Sequence, residues 1–392
     1  MTTATTATLP DRTLRNGDIP QLISILQNQQ AAKLDLVAQA DLIHLISGKL
    51  SLSGQDVVLS ADGVSDPNGV YALTAVAEQN IADLLGIPVR YLRRMLTEKA
   101  GLADTNVNAW AAEKDGTVLF RILQGTNEND PGTSGIVRAV LSSKYNLSYD
   151  NLDTTMSALQ GMRAAGLDAS NITGVDLSDQ RLYISVNVPQ IAVDAKELVK
   201  GYRSPFNGQS GDELPLMNAG LVFTNSEVGR GAFQILPKAV LQVCTNGLTR
   251  AVDGFRKVHL GGRLQEGTIS WSAETQNAAN EFVRAQVKDA VASFLSEGYL
   301  ENLRDDLLRD AGVEIADVTK TLEVVGKKMQ YSQTEQDMIL ADFIRGGQVT
   351  SGGVLNAVTS VAQRIEDPDR AFDFNNTAID AMKVAARVAV SA

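Results

Sequence analysis

Residues 218–262 read NAGLVFTNSEVGRGAFQILPKAVLQVCTNGLTRAVDGFRKVHLGG. Two runs of mainly apolar residues, AGLVFTN and GAFQIL, flank SEVGRG, and this pattern predicts two strands joined by a turn around Gly229 and Gly231. In the next segment, PKAVLQVCTNG, Pro237 would take the first helical position and Gly247 would stand just past the helix end. The stretch therefore predicts two strands followed by a helix.

The sequence before this stretch also combines predicted strands with a predicted helix. TVLFRIL and GIVRAVLSS predict strands, and DNLDTTMSALQGMRAAG predicts a helix that begins after Asp150 and ends near Gly166. NITGVDLSDQRLYISVNVP predicts two more strands with a turn around Ser178 and Asp179. We therefore expect an α+β fold with a central, mostly antiparallel sheet that helices cover on one side.

An N-terminal α/β extension and a C-terminal helical region are predicted outside this core. LTAVAEQNIADLLGIPVRYLRRML predicts two helices, either a helix-turn-helix or a plain antiparallel pair. In the last third, apolar residues recur at helical spacing, and Ser332 with Glu335 forms a capping box. The predicted division is a disordered lead at 1–14, the N-terminal α/β region with the helix pair at 15–105, an α+β core at 106–263 and the helical C-terminal region at 264–392.

The composition narrows the class of protein. The chain has 392 residues, 44% of them hydrophobic, and a single cysteine, so an internal disulfide scaffold and a Cys-rich zinc finger are excluded. It has no run of about 18 uncharged apolar residues, and the start MTTATTATLPDRT lacks the basic and apolar regions of a signal peptide. We expect a protein that has no membrane partner and stays in the cytoplasm.

Charge is distributed unevenly along the chain. A formal net charge of −11 argues against a protein coated in nucleic acid. Residues 200–263, however, hold eight Lys or Arg against four Asp or Glu, whereas residues 264–392 hold twelve against twenty. We therefore expect a basic face in the middle of the chain and an acidic tail.

Aromatic residues interleave with basic ones in the middle of the chain, as they do in proteins that bind single strands. The rings are Tyr145, Tyr149, Tyr202, Phe206 and Phe223. The loop KGYRSPFNGQSGDELP at 200–215 lacks apolar periodicity, and loops longer than about 12 residues are often functional. The candidate nucleic-acid-binding residues are Arg203, Tyr202, Phe206, Arg230, Arg250, Arg256, Lys257 and Arg263.

Two further basic patterns have alternative interpretations. A second candidate set for nucleic acid comprises Arg90, Arg93, Arg94, Arg138 and Lys144. Its first three members also fit a solvated helix face. In NSEVGRG the glycines beside Arg230 would let a phosphate approach the backbone, but a hairpin turn with a surface arginine explains the motif as well.

An enzymatic site is the least favoured interpretation. Cys244, Asn246 and His259 could supply a thiol nucleophile, an orienting amide and a base. A free cysteine on an inner helix face usually behaves as a small hydrophobic residue, however, and Asn246 before Gly247 suits a helix end. His44 and His259 are the only histidines. We expect no catalytic residue, no metal and no cofactor.

Several motifs follow one another in a characteristic order. They are KLDLVA with GKLSLSG, ADLLGIPVRYLRRM, VLFRIL, VRAVLSSKYNLSYDNLD, NSEVGRGAFQI, the predicted helix end VCTNG, the histidine-bearing RKVHLGG and VLNAVTSVAQ. In these motifs the chain resembles, over almost its whole length, a phage- and plasmid-related family known only as domain of unknown function 932. The resemblance implies a mobile-element setting and implies no reaction.

Three functions remain open on these observations. The favoured one is a non-enzymatic, DNA-associated protein of a phage or plasmid that binds or anneals single-stranded DNA as an oligomer. The alternative is an oligomeric structural or host-factor-interacting phage protein without nucleic-acid binding, and the third is an enzyme that uses Cys244 and His259. The predicted partners are therefore single-stranded DNA, further copies of the chain and a host protein, in the cytoplasm of a bacterial cell.

Overall fold

A computed structural model describes residues 8–60, 63–128, 130–145, 149–243, 246–249, 253–257, 266–268 and 272–391. It contains antiparallel and mixed sheets together with a helical C-terminal region. The predicted α+β class is therefore confirmed. The strands form two seven-stranded sheets and one small two-stranded sheet.

The described strands are β1 (Leu14–Gly17), β2 (Lys33–Gln39), β3 (Leu45–Ile46), β4 (Lys49–Leu52), β5 (Val58–Ser60), β6 (Gly63–Ser65), β7 (Gly69–Leu73), β8 (Thr117–Gln124), β9 (Gly135–Ser142), β10 (Ile172–Leu177), β11 (Leu182–Asp194), β12 (Leu216–Asn225), β13 (Phe233–Leu241), β14 (Asn246–Thr249), β15 (Phe255–Lys257) and β16 (Gly267–Thr268). The described α-helices are α1 (Ile19–Ala32), α2 (Ala75–Leu85), α3 (Val89–Glu98), α4 (Ala100–Ala112), α5 (Asn151–Ala164), α6 (Lys196–Val199), α7 (Ala273–Phe294), α8 (Glu297–Ala311), α9 (Val318–Met329), α10 (Gln333–Gly346), α11 (Ser351–Ala362) and α12 (Pro368–Val390).

The first sheet has the order β1-β10-β11-β12-β13-β14, and β15 also pairs with β13. The described pairs are all antiparallel. The predicted hairpin, with β12 and β13 joined by a turn at 226–232, is confirmed. Successive side chains of a strand point to opposite faces, and Ile184, Leu221 and Ile235 lie on the face that joins the main core. Helices α1 and α5 to α12 all contribute buried residues to this core.

The predicted helix at 237–247 is wrong, because this segment continues the first sheet. Pro237 lies in β13 opposite Leu221 of β12, and residues 238–241 pair with β14. Proline has no N–H to donate, so a sheet tolerates it where no neighbouring strand needs that hydrogen bond. Among the described residues, β15 pairs with β13 only as far as Ile235 and β14 pairs with it only from Lys238 onward, so no described residue of these two strands stands opposite Pro237.

The second sheet has the order β16-β2-β8-β9-β7-β4-β3. Helices α2, α3 and α4 cover one of its faces and bury Ile81, Leu92 and Val107 against it. The predicted helix pair is therefore confirmed as α2 and α3, and α4 adds a third helix to the layer. On the opposite face, Leu119 and Leu141 belong to one buried cluster with Val228 from the β12–β13 turn. The two sheets meet at this turn.

Strand pairing crosses the predicted domain limits. Strand β2 pairs with β8 on the far side of residue 105, and β16 returns from beyond residue 263 to pair with β2. Thr8 forms a bridge with Thr126, and the N–H of Leu9 donates to the Thr126 carbonyl at 3.1 Å. The chain therefore joins the fold from Thr8, earlier than residue 15.

The C-terminal helical region consists of α7 to α12 in the described residues, as predicted. The Ser332 hydroxyl accepts the N–H of Glu335, and the Glu335 carboxylate accepts the N–H of Ser332, so the predicted capping box is confirmed. Helix α11 is buried along its whole length and contacts both α10 and α12. Among the described residues, no helix combines the length and the apolar composition that crossing a membrane would need.

Candidate functional site

The loop at 200–215 that the sequence singles out connects β11, through α6, to β12. Backbone hydrogen bonds hold it in place. The N–H of Arg203 donates to the Gly346 carbonyl at 2.9 Å, and the N–H of Gly211 donates to the Tyr202 carbonyl at 2.9 Å. The loop therefore rests on the C-terminal end of α10. We refer to the following side chains of the loop and the neighbouring helix ends as the loop surface: Lys200, Arg203, Phe206, Arg345 and Arg364.

Phe206 is the exposed ring of the loop surface, with 46% of its area accessible. The guanidinium carbon of Arg364 lies 5.8 Å from the centre of this ring, within the range of a cation–π contact. Asp342 orients Arg364 from the protein interior, because its buried carboxylate binds the guanidinium and also accepts the Ser360 hydroxyl. The structure thus presents a ring and a guanidinium group side by side.

Three more cations belong to the loop surface, two on the loop and one on α10. Arg203 is exposed, and the side chains of Lys200 and Arg345 are 68% and 55% exposed. Lys200 lies 3.7 Å from Glu197, and Arg345 lies 3.9 Å from Asp342. The pair of Lys200 with Glu197 is exposed and long, so it contributes little stability. The Arg345 side chain stays more than half exposed although it lies near the buried Asp342. All three cations are therefore accessible to an external anion.

The other predicted rings are buried and therefore cannot stack on bases. Tyr202 is 1% exposed, Phe223 is 3% exposed, and both belong to the main core. Tyr145 is buried and donates its hydroxyl to the Ser226 carbonyl at 2.6 Å, and Tyr149 is 6% exposed. The prediction that Tyr202 contacts nucleic acid is therefore wrong, because a base can stack only on an exposed ring.

Among the predicted cations of residues 200–263, the three with described side chains, Arg203, Arg230 and Arg256, do not converge on one face. Arg203 precedes β12 and Arg230 follows it, so the two lie at opposite ends of a strand of ten residues, which is roughly 30 Å long. Arg256 stands opposite Gln234 on β15, near the Arg230 end, and its side chain is exposed. A single basic face that includes Arg203, Arg230 and Arg256 is excluded.

Four candidates lie outside the described residues: Arg250, Arg263, Cys244 and His259. For Lys257 and Asn246 only the strand positions are described, in β15 and β14. The described part of the chain contains no group of three or more His, Cys, Asp or Glu side chains that could hold a metal ion. The cysteine-based hypothesis therefore stays a prediction.

The second candidate set is divided between the surface and the interior. Three arginines lie on the exposed side of α3: Arg90, Arg93 and Arg94. Arg93 pairs with Glu78 at 2.9 Å and Arg94 pairs with Glu98 at 3.0 Å, as the alternative of a solvated helix face implies. Lys144 is exposed.

Arg138 is wrong as a nucleic-acid contact, because it is buried and binds Glu227. The pairing of β8 with β9 shifts by one residue at this point, so Arg138 is an extra residue in β9. A bulge of this kind re-aims a side chain. The bulge accounts for an arginine that faces the interior within a strand otherwise rich in apolar residues.

NSEVGRG forms the β12–β13 turn, which favours the hairpin interpretation. The N–H of Arg230 donates to the Ser226 hydroxyl at 2.9 Å, and the Arg230 carbonyl accepts from Arg181 at 2.6 Å. Gly229 has a φ of +76°, a conformation that glycine adopts at little cost. The arginine is half-buried rather than projecting from the turn.

A buried ionic network lies where this turn meets the second sheet. Its members are Lys33, Asp35, Arg121, Arg138, Asp150 and Glu227. Arg121, 1% exposed, donates to both oxygens of Asp35 at 2.9 and 3.0 Å and to both oxygens of Asp150 at 2.9 and 2.8 Å. Lys33 also donates to Asp150 at 2.8 Å. Its three positive and three negative charges balance. Because Arg121 and Arg138 of the second sheet bind Glu227 of the β12–β13 turn, the network connects the two sheets, and we call it the joint between the sheets.

The network also changes how α5 begins. The predicted start after Asp150 is confirmed, but the Asp150 side chain does not cap the helix. Instead, the N–H of Asn151 donates to the Glu227 carboxylate at 2.6 Å. Burial by itself would raise the pKa of Asp150, but the charges of Arg121 and Lys33 outweigh it and hold that pKa well below its usual range.

The sequence carries a signal for this network that the motif analysis missed. KLDLVA carries Asp35 inside an apolar strand, two residues after Lys33 at its start, and VLFRIL carries Arg121 as its one charged residue. A charge at an inward-facing position is costly unless it is paired. These two residues stand opposite each other on β2 and β8. A search for lone charges in apolar strands would have found both.

Comparison of the chain with models of protein families, with curated proteins and with solved structures finds no match. The family resemblance carried by the sequence motifs therefore stays a prediction. The function is best inferred from the loop surface, where the exposed ring of Phe206 lies beside the guanidinium group of Arg364.

Proposed function

We propose that the protein is a non-enzymatic, DNA-associated protein that binds single-stranded DNA through the loop surface. The observation that carries this proposal is the exposed ring of Phe206 with the Arg364 guanidinium 5.8 Å from its centre. Single-strand-binding proteins use exposed rings to stack on bases and cationic side chains to follow the backbone. Lys200, Arg203 and Arg345 supply the additional cations.

The order of the loop supports this proposal. The backbone hydrogen bond between Arg203 and Gly346, and the ion pair between Arg364 and Asp342, hold the ring and the cations before any ligand arrives. A side chain that is already ordered loses less conformational entropy on binding. For a single strand, each phosphate contact lowers the logarithm of the affinity by about 0.7 for every tenfold rise in salt concentration. Four cations therefore imply that a plot of log affinity against log salt concentration falls with a slope of up to about 3.

Fluorescence anisotropy with a labelled oligothymidine at low ionic strength tests the proposal. Phe206→Ala should weaken binding by about 5- to 150-fold, because stacking of one base contributes about 1–3 kcal/mol. The double variant R203A/R345A should lower the salt slope by about 1.4, since two cations are lost.

The control is Arg309→Ala, which removes a cation of α8 whose side chain is 76% exposed and which is not part of the loop surface. It should leave binding unchanged. The double variant R90A/R94A measures separately what the exposed face of α3 contributes. The proposal fails if the wild-type protein shows no salt-sensitive binding, or if Phe206→Ala binds as tightly as the wild type.

A protein partner is the second candidate, because Ile344 and Val349 are 67% and 51% exposed close to the loop surface. That partner could be a second copy of the chain or a host protein, in the cytoplasm of a bacterium that carries the phage or plasmid. Light scattering on the purified protein measures self-association. A host protein that is recovered after nuclease treatment, and is lost with Ile344→Asp but retained with Phe206→Ala, would favour this candidate over single-stranded DNA.

A further inference from the structure

The face of the first sheet opposite the main core forms a polar cleft of about 750 Å³. Strands β10 to β13 make its floor, and the connection between α11 and α12 makes one wall. The polar side chains of the floor are Thr173, Ser185, Asn187, Asn218, Lys238 and Gln242. Small-molecule sites in proteins usually occupy about 300–1,000 Å³. The cleft therefore has the volume of a ligand site, with an unusually polar lining.

Lys238 stands in the middle of the floor. Asn187, Gly220, Lys238 and Thr249 form one row across β11, β12, β13 and β14. Because Gly220 has no side chain, Lys238 and Asn187 face each other across two strand spacings, about 10 Å. In the described part of the chain, no hydrogen bond or ion pair satisfies the Lys238 ammonium group.

The other ionisable groups of the cleft are already paired. Arg15 and Asp176 form an ion pair at 2.8 Å, and the Tyr183 hydroxyl donates to Asp369 at 2.6 Å. The α12 residues that line the cleft are uncharged. Desolvation lowers the pKa of Lys238 to about 8, and the charge of Asp176 offsets this only in part. At neutral pH, Lys238 is therefore mainly a cation without a contacting counter-charge among the described residues.

Unsatisfied hydrogen-bond acceptors accompany this cation. The side-chain oxygens of Asn187 and Asn375 are buried in the cleft lining and have no partner among the described residues. The ring of Phe372 lies in the same wall and packs on Tyr183, with 4.7 Å between the ring centres. The cleft thus offers one positive charge, two free acceptors and an apolar surface.

We propose that this cleft binds a phosphate-bearing ligand of the size of a nucleotide, with the phosphate at Lys238 and the donors of the base or sugar at Asn187 and Asn375. A lone ammonium group acts as a point charge for phosphate. Carboxamide side chains can both donate and accept, as recognition of a base or sugar requires. This site is independent of the loop surface.

The phosphate can belong to a free mononucleotide or to a nucleotide of a DNA strand. Isothermal titration calorimetry with dAMP, with inorganic phosphate and with a short oligonucleotide separates these sources. Saturable binding of dAMP that is tighter than that of inorganic phosphate is expected. Lys238→Met should weaken it by about 10- to 100-fold, since a charged hydrogen bond is lost. Affinity should fall about tenfold per pH unit above pH 8, because the bound anion needs the protonated amine.

The control is Lys200→Met, whose side chain is 68% exposed and lies outside the cleft; it should bind dAMP like the wild type. Phe206→Ala should also leave dAMP binding unchanged, which separates this site from the loop surface. An oligonucleotide that binds more tightly than dAMP, and loses that advantage in Lys238→Met, identifies the strand as the source of the phosphate.

Three results would overturn the proposal. They are the absence of saturable dAMP binding, equal affinity for dAMP and inorganic phosphate, and unchanged dAMP affinity in Lys238→Met. Thermal denaturation of each variant shows that it is folded, so a loss of binding in Lys238→Met reports on the site itself.

Discussion

Replacing Arg121 with methionine should lower the free energy of unfolding by about 3–5 kcal/mol, because it leaves buried carboxylates without their main counter-charge. Arg121 makes five hydrogen bonds, four to Asp35 and Asp150 and one to the Glu227 carbonyl. Asp35 is 4% exposed and Asp150 is 2% exposed. Neither can recover its hydration without opening the joint between the sheets.

The size of this loss of stability follows from comparing the buried ion pairs of Arg121 with an exposed ion pair. Arg12 and Asp179 form an ion pair at 3.1 Å, but their side chains are 36% and 39% exposed. Such pairs contribute about 0–1 kcal/mol, so Arg12→Met is the matched control. Since whole domains are stable by about 5–15 kcal/mol, the loss of Arg121 should remove a large share of the total and the loss of Arg12 almost none.

Urea denaturation followed by far-ultraviolet circular dichroism at pH 7 measures both variants. A third variant, Arg121→Lys, keeps the charge but cannot bind two carboxylates bidentately, so its free energy of unfolding should lie between those of the wild type and Arg121→Met. If Arg121→Met costs no more than Arg12→Met, the buried network does not stabilise the joint as described.

The pH dependence gives an independent check. In the wild type the pKa of Asp150 is lowered in the folded state, so its stabilising contribution is present above the unfolded pKa and is lost as the pH falls through the folded one. In Arg121→Met the folded pKa of Asp150 should be higher than in the wild type, and protonation should relieve the unpaired charge. The difference in stability between the two proteins should therefore shrink from pH 7 towards about pH 4. A difference in stability that does not change with pH would contradict the pairing of Asp150 with Arg121.

Three further predictions concern other parts of the fold. Lys238→Met should stabilise the protein below pH 8 by up to a few kcal/mol. The pKa of Lys238 is lowered to about 8 in the folded protein, so wild-type stability should rise between pH 8 and the unfolded pKa near 10.5. Urea denaturation at a series of pH values measures both effects. Gly161→Ala should destabilise by about 1–3 kcal/mol, because a Cβ there would lie 2.7 Å from the Val287 Cβ. The helical control Gly298→Ala has open space and should be neutral or slightly stabilising, so equal melting temperatures for the two variants would refute close packing of α5 on α7. Ser332→Ala should cost about 1 kcal/mol through loss of the α10 cap, and an unchanged urea midpoint would show that this cap is dispensable.

Much of the local structure could be predicted because its causes lie within a few residues. The β12–β13 hairpin follows from two apolar runs around a glycine-bearing turn, and the start of α10 follows from the Ser332–Glu335 capping box. The same kind of local signal failed at 237–247, where Pro237 and Gly247 imitate helix ends. Pairing with β12 and β14 decided that segment, and no local pattern encodes which strands lie alongside.

The candidate site was predictable only in part. The sequence singled out the loop at 200–215, and its composition identified Arg203 and Phe206, which are exposed. It did not reveal Arg364, which reaches Phe206 from the turn after α11, more than 150 residues later in the chain. Burial also could not be read from residue type, because tyrosines serve both cores and surfaces; Tyr202 proved to be a core residue.

The sequence by itself determined the α+β class, the hairpin at 226–232 and the helix starts at Asp150 and Ser332, since hydrophobic periodicity and caps act over a few residues. Only the tertiary structure decided that Arg138 and Glu227 are partners, that Arg203 and Arg230 lie at opposite ends of β12, and that Asp150 serves the ionic network. The physical reason is range. Arg121 forms hydrogen bonds with residues that are 29 to 106 positions away in the sequence. Charged residues so far apart in the sequence are buried together only where the fold brings the two sheets into contact.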